Sequence, residues 1–216
     1  MKRLDPGVYA IADPARATGD LVATTLAAVA GGATLIQLRD KASDTRLMVD
    51  RARALVEALR GTPVPLLVND RVDVCLAADA DGVHLGQDDM ALADARRLLG
   101  AKAILGVTIR TDAEARDTPL DAADYAAIGG VFGTASKNNQ TPPLGLGGLA
   151  RVAGLVRARR PGLPLFAIAG IDATNAADVV AAGVDGVAVI SDIYRAADPR
   201  HAACVLARAV AQGKTP

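Results

Sequence analysis

Charged and hydroxyl side chains stand at the ends of short apolar runs in this sequence, and they are the residues that could do chemistry. Leu35-Ile36-Gln37-Leu38-Arg39-Asp40-Lys41 is the clearest case. A strand alternates its side chains with a period of two, so Gln37 and Arg39 share one face and Ile36 and Leu38 the other. The apolar face suits a cover of helices, which aims Gln37 and Arg39 at the mouth of whatever the strands enclose; a solvated surface arginine is the plainer alternative. Val68-Asn69-Asp70 and Gly86-Gln87-Asp88-Asp89 end two further runs in carboxylates. Carboxylates converging on one rim with Lys and Arg nearby fit a Mg²⁺-diphosphate site, because Mg²⁺ takes oxygen ligands and commonly uses one or two carboxylates plus substrate phosphate oxygens. Each aspartate alone is equally well read as a helix N-cap, Asp70 before Arg71 and Asp88 or Asp89 before the next helix. The two together are better explained by a shared ion.

Three more segments could hold an anion. Thr108 ends Gly106-Val107-Thr108, and Thr134-Ala135-Ser136-Lys137 adds hydroxyl donors and a cation. Ala169-Gly170 and Ile190-Ser191 follow the last two apolar runs, where backbone N–H groups and a helix N-terminus often cradle phosphate. A tight turn at Gly170 and a helix cap at Ser191 are the ordinary alternatives.

The elements that must position these residues follow from periodicity. Strands are predicted at Val8–Ala12, Leu35–Leu38, Val64–Val68, Gly82–Leu85, Ile104–Val107, Tyr125–Ile128, Leu165–Ile168 and Val187–Ile190. Helices are predicted at Leu21–Ala30, Thr45–Leu59, Val72–Ala78, Leu92–Leu99, Ala113–Arg116, Leu149–Arg159, Asn175–Ala182 and His201–Ala211. Eight strand–helix units in 216 residues predict a single (β/α)₈ TIM-barrel domain over residues 1–216. A weak repeat supports this: Gly31-Gly32-Ala33-Thr34, Ala80-Asp81-Gly82, Ala122-Ala123-Asp124 and Gly183-Val184-Asp185 each put small or turn-forming residues before a strand. A doubly wound open sheet fits less well, since no G-x-G-x-x-G follows the first strand. The stretch Gly129–Pro143, rich in Gly, Thr, Asn and Pro, cannot be regular structure and belongs on the catalytic rim.

Composition excludes several classes. Lys plus Arg and Asp plus Glu both total 24, and the three Tyr, two Phe and absent Trp offer no base-stacking platform, so no nucleic-acid partner is expected. Although 51% of residues are hydrophobic, no window reaches the roughly 18 uninterrupted apolar residues of a membrane span. Asp13 and Pro14 interrupt the first apolar run, so no secretory signal is read and a cytoplasmic location is expected. Cys75 and Cys204 are far apart and fall in helices, as small buried thiols do. Two histidines make a His-based metal cage improbable. Small-molecule substrates are the expected partners, and a homo-oligomer is compatible with the sequence.

Taken in order, Gln37-Leu38-Arg39-Asp40-Lys41, Asn69-Asp70, Gly82–Asp89, Gly106-Val107-Thr108, Thr134-Ala135-Ser136-Lys137 and Gly183–Ser191 resemble the thiamine-phosphate synthase family, from about Val8 to Ile193. The resemblance implies a TIM barrel that joins hydroxymethylpyrimidine diphosphate to a thiazole phosphate, or its carboxylated form, releasing pyrophosphate and forming thiamine monophosphate. It implies that Gln37, Leu38, Arg39, Asp40, Lys41, Asn69, Thr108 and Lys137 bind the pyrimidine diphosphate. Asp70 and Asp89 would hold Mg²⁺, while Thr134, Ala135, Ser136, Gly170, Ile190 and Ser191 would bind the thiazole phosphate. Arg39, Lys41 and Lys137 are then the catalytic cations, which stabilise charge building on the leaving pyrophosphate. This sequence has Thr108 where the family usually has Ser, Ser136 where it has Thr, and Arg110 where a His often follows. Ala169 replaces the first Gly of a common pair, and Gly130 and Gly133 stand where Pro is common. A related thiazole tautomerase would need no diphosphate site, so the joint presence of Arg39, Lys41, Asp70, Asp89 and Lys137 favours the synthase over it. Fold alone does not separate the synthase from a non-catalytic barrel that only binds a phosphorylated ligand; Mg²⁺-dependent pyrophosphate release does.

Overall fold

A computed structural model describes residues 2–134 and 142–215. Eight parallel strands close into a barrel in chain order: β1 (Val8–Ala12), β2 (Ala33–Leu38), β3 (Leu66–Asn69), β4 (Gly82–Leu85), β5 (Ile104–Ile109), β6 (Tyr125–Gly129), β7 (Leu165–Ile168) and β8 (Gly186–Val189). β8 pairs back onto β1 through Val8 and Val187. The helices between them are α1 (Leu21–Ala30), α2 (Thr45–Ala58), α3 (Val72–Ala78), α4 (Leu92–Leu99), α5 (Asp112–Asp117), α6 (Gly145–Arg159), α7 (Ala176–Ala181), α8 (Ser191–Tyr194) and α9 (Pro199–Gly213). The (β/α)₈ barrel expected from periodicity is therefore the fold.

Strand alternation builds two cores. Outward residues such as Ile36, Leu38, Val68, Val107 and Ile128 pack beneath the helices. Inward residues, among them Tyr9, Ile11, Leu35, Leu67, Tyr125 and Phe166, fill the barrel. Cys75 is buried in α3 and Cys204 half-buried in α9. Among the described residues, no helix is long and apolar enough to cross a membrane.

The structure departs from the sequence reading mainly at element ends. α6 starts at Gly145 rather than Leu149, because its first turn, Gly145-Leu146-Gly147-Gly148, has poor helix propensity and is held by tertiary bonds. Leu144 and Gly145 donate to the Gly130 and Val131 carbonyls, both at 2.9 Å. β8 stops at Val189, so that Ile190 and Ser191 turn at once into the short helix α8, which periodicity over four residues could not show.

Candidate active site

The polar residues at the C-terminal strand ends gather on one rim. On β2 the alternation holds: Leu38 is buried against the helices, while Gln37 and Arg39 line a cavity inside the barrel mouth with Asn69, His84 and Thr108. Only the backbone of Leu38 can face that cavity. Arg39 is not a free cation, since its Nη1 bonds to Asp13 at the end of β1 at 2.5 Å and Asp13 is only 3% exposed. The Nε of the same guanidinium is buried without a hydrogen-bond partner among the described residues, which leaves an oriented donor beside the cavity. Asp40 turns away from the mouth to pair with Arg51 and to accept from the N–H groups of Ala42 and Ser43. Burial opposes its ionisation, but Arg51 and those N–H groups outweigh that and hold its carboxyl below the usual range.

Lys41 reaches over to Asp70, with which it forms an ion pair. Asp70 has φ 62°, an uncommon left-handed conformation for a side-chain-bearing residue, fixed by a bond from its N–H to the His84 carbonyl at 2.9 Å. This conformation turns its carboxylate onto the rim instead of onto the following helix. α3 in fact begins after Arg71 with no side-chain cap, and α4 after Ala91 likewise. The capping alternative for the two aspartates therefore fails. Asp89 instead accepts from the Gly86 N–H at 2.7 Å, folding the β4 turn back toward the mouth. Gly86 suits that turn, because a Cβ there would lie 3.0 Å from the Asp89 carboxylate. Burial raises the proton affinity of Asp70, Lys41 lowers it, and neighbouring Asp89 raises it further, leaving it above the ordinary carboxylate value. The half-buried Asp70 and the exposed Asp89 thus bring their carboxylates together at one place on the rim.

On the opposite side of the mouth, β6, β7 and β8 frame a cavity of about 60 Å³ lined by Thr134, Ala169, Gly170, Ile190 and Ser191. Gly170 (φ 65°) is required by close approach: a Cβ would lie 2.7 Å from that of Phe132, in the loop after β6. Ala169 takes φ 97°, a conformation suited to glycine. Ser191 is the first residue of α8 and not its cap, so its hydroxyl is not spent on the helix. Ala135, Ser136 and Lys137 lie outside the described residues.

Sequence reasoning missed the inner layer. Asp13 ends β1 as Arg39 ends β2, and that parallel was the available signal. Tyr9, Tyr125 and His84 form a buried hydrogen-bonded set beneath Gln37 and Thr108. The inward phase of β1, β4 and β6 was the cue to them. Gln87 donates to the Thr108 carbonyl at 2.7 Å and fixes the end of β5.

The sequence model of the thiamine monophosphate synthase family matches residues 8–193. Thiamine-phosphate synthase of Agrobacterium fabrum is 50% identical over 199 residues, spanning 92% of this chain and 90% of that protein. The Roseiflexus castenholzii protein of the same name is 46% identical, over 95% of this chain and 88% of its own. The solved structure of thiamine phosphate pyrophosphorylase from Pyrococcus furiosus superposes with a TM-score of 0.83 at 35% identity, covering 96% of both chains. The chain belongs to the thiamine monophosphate synthase family and is an enzyme of the transferase type.

Proposed function

We propose that residues 1–216 act as one unit that joins hydroxymethylpyrimidine diphosphate to thiazole phosphate, or to its carboxylated form with loss of the carboxyl group as CO₂, with Asp70 and Asp89 holding Mg²⁺. The observation that carries this reading is the shared position of Asp70 and Asp89, two carboxylates crowded together beside Lys41, with neither capping a helix. Two adjacent carboxylates, one of them half-buried, repel each other, and a divalent cation relieves that repulsion. Among the described residues no group of three or more His, Cys, Asp and Glu could form a closed metal cage. A two-carboxylate site completed by substrate oxygens suits Mg²⁺. When bound, the ion would neutralise charge on the diphosphate oxygens.

The remaining work falls to the chain itself. Lys41 and the Nε of Arg39, which has no partner among the described residues, bind the diphosphate, joined by Lys137, and Asp13 keeps the guanidinium in place. The bond between the pyrimidine methylene and the diphosphate breaks with its electron pair leaving on oxygen, where these donors stabilise it. Gln37, Asn69 and Thr108 orient the ring. Thr134, Ala135, Ser136, Gly170, Ile190 and Ser191 hold the thiazole by its phosphate, so that its nitrogen meets the methylene and forms the new C–N bond. No side-chain nucleophile takes part; burial pushes the Cys75 thiol up to about 12, which leaves it protonated.

The test is an assay with both substrates, reading thiamine monophosphate and pyrophosphate with Mg²⁺ and with excess chelator. Equal amounts of the two products, formed only with the cation, are expected. Absence of thiamine monophosphate with Mg²⁺ present, or proton exchange on the thiazole without any pyrimidine diphosphate, overturns the reading.

A further inference from the structure

Five side chains in the barrel interior are joined end to end. The Gln37 amide bonds to the Tyr9 hydroxyl, and the Tyr9 and Tyr125 hydroxyls are 2.9 Å apart. The Tyr125 hydroxyl lies 2.7 Å from Nδ1 of His84, whose Nε2 lies 2.7 Å from the Thr108 hydroxyl. Tyr9 and Tyr125 are fully buried, and both ends of the chain, Gln37 and Thr108, line the cavity at the mouth. The interior is shaped around this chain: a Cβ at Gly106 would overlap the Tyr125 ring, and that ring stacks on His84 with centroids 5.5 Å apart.

Counting protons along the chain fixes its direction. Each hydroxyl has a single proton to give, and a neutral imidazole has one donor nitrogen and one acceptor nitrogen. Gln37 donates through Nε2 to Tyr9, so the Tyr9 proton goes to Tyr125 and the Tyr125 proton to Nδ1 of His84. His84 then carries its hydrogen on Nε2 and gives it to Thr108. The Thr108 proton is left for the cavity, and the Gln37 carbonyl is left as an acceptor. Burial drives the proton affinity of both tyrosines well up, so both stay as O–H groups.

We infer that Tyr9 and Tyr125, acting through His84, are positioning residues that lock Gln37 as an acceptor and Thr108 as a donor toward the substrate ring. This rests on the reading that an aminopyrimidine binds in this cavity. Its amino group supplies the N–H that the Gln37 carbonyl needs, and a ring nitrogen accepts from Thr108. A ring carrying oxygen in place of the amino group turns an acceptor toward an acceptor. The chain therefore sets selectivity for the amino ring over the oxo ring, because a site whose polar groups are committed in one sense penalises a ligand of the opposite sense.

Two measurements test this. The first needs no substrate: His84 and His201 are the only histidines, so nitrogen NMR of the imidazoles reads the His84 tautomer directly. Hydrogen on Nε2 with Nδ1 as acceptor is expected; hydrogen on Nδ1, or a charged ring at neutral pH, overturns the inference whatever the enzyme makes. The second compares kcat/KM for the pyrimidine diphosphate and its oxo analogue in wild type, Tyr9→Phe, Tyr125→Phe and the double variant. Each single change is expected to cut the amino-over-oxo preference by roughly 10-fold or more, with the double variant no worse than either single. Unchanged preference in a folded Tyr9→Phe or Tyr125→Phe, or losses that multiply, overturns it. Wild type that makes no thiamine monophosphate would instead sink the proposed function and leave the tautomer result standing.

Discussion

The two ends of the barrel use aspartate in opposite ways. At the N-terminal end, Asp81, Asp124 and Asp185 each stand just before an even-numbered strand and clasp the preceding odd one. The N–H of each donates to the carbonyl of Leu66, Leu105 or Leu165, and the carboxylate accepts from the N–H of the same leucine at 2.7–2.8 Å. Lys2, Arg96 and Arg157 complete the three clasps as ion pairs. The fourth pair of strands replaces the carboxylate with the Thr34 hydroxyl, which donates to the Val8 carbonyl at 3.4 Å. At the C-terminal end, Asp70 and Asp89 crowd each other, and Asp70 and Ala169 hold positive φ. The clasps leave their carboxylates satisfied, although Asp79 beside them also takes φ 57° as the C-cap of α3; the C-terminal rim keeps crowded carboxylates and the strained Ala169 in place for a ligand to use.

The sharpest test of that contrast is Asp70→Asn. Asparagine keeps the shape, tolerates the left-handed backbone and removes the charge. The folded chain binds the Asp70 proton more tightly than the unfolded chain does. Its contribution to stability is therefore full in acid and is lost as pH rises through the folded value, so at neutral pH the ionised carboxylate works against folding. The variant should lose on the order of 10²–10³ in kcat while its Tm rises at neutral pH, with the gain fading in acid. A parallel fall in Tm and activity would mean that Asp70 is structural.

Asp185→Ala makes the converse test at the other end. It leaves the Leu165 N–H and Arg157 without their partner, and losing such charge-assisted bonds costs about 2 kcal/mol. That corresponds to roughly 4–8 °C in Tm for a chain of this size. Turnover per folded molecule, measured well below the transition, should stay close to wild type. A large loss of kcat in a folded Asp185→Ala protein would erase the division of labour between the rims.

This division explains what could be read in the sequence. The barrel was legible because its signals are local: alternation over four to six residues, helical periodicity, and small or turn-forming residues before a strand. The clasp aspartates were visible as a repeat, although not as bonds. Gln37, Arg39, Asp70 and Asp89 could be picked out as polar endings to apolar strands. Partners were not legible, since Arg39 meets Asp13 across 26 positions and Tyr9 meets Tyr125 across 116. Nor was the backbone twist at Asp70, which depends on its bond to the β4 carbonyl of His84 and not on its neighbours in sequence. The short helix α8 is set by the turn out of β8 and leaves no periodic trace.

The smallest expected effect is at Ala169, and it asks whether strain at the C-terminal rim is merely tolerated or put to use. A side chain at φ 97° costs about 1–3 kcal/mol, and glycine removes that cost while adding less than 1 kcal/mol of unfolded-chain entropy. Ala169→Gly should therefore stabilise the protein by about 1 kcal/mol, or roughly 2–4 °C in Tm. The Ala169 carbonyl accepts from the Phe132 N–H at 3.0 Å, so the strained residue also ties the loop after β6 to the cavity lined by Gly170, Ile190 and Ser191. Glycine opens other backbone conformations at that tie. If the strain serves positioning, KM for the thiazole phosphate rises a few-fold while KM for the pyrimidine diphosphate holds. If both constants stay fixed as Tm climbs, the strain at this position has no functional return.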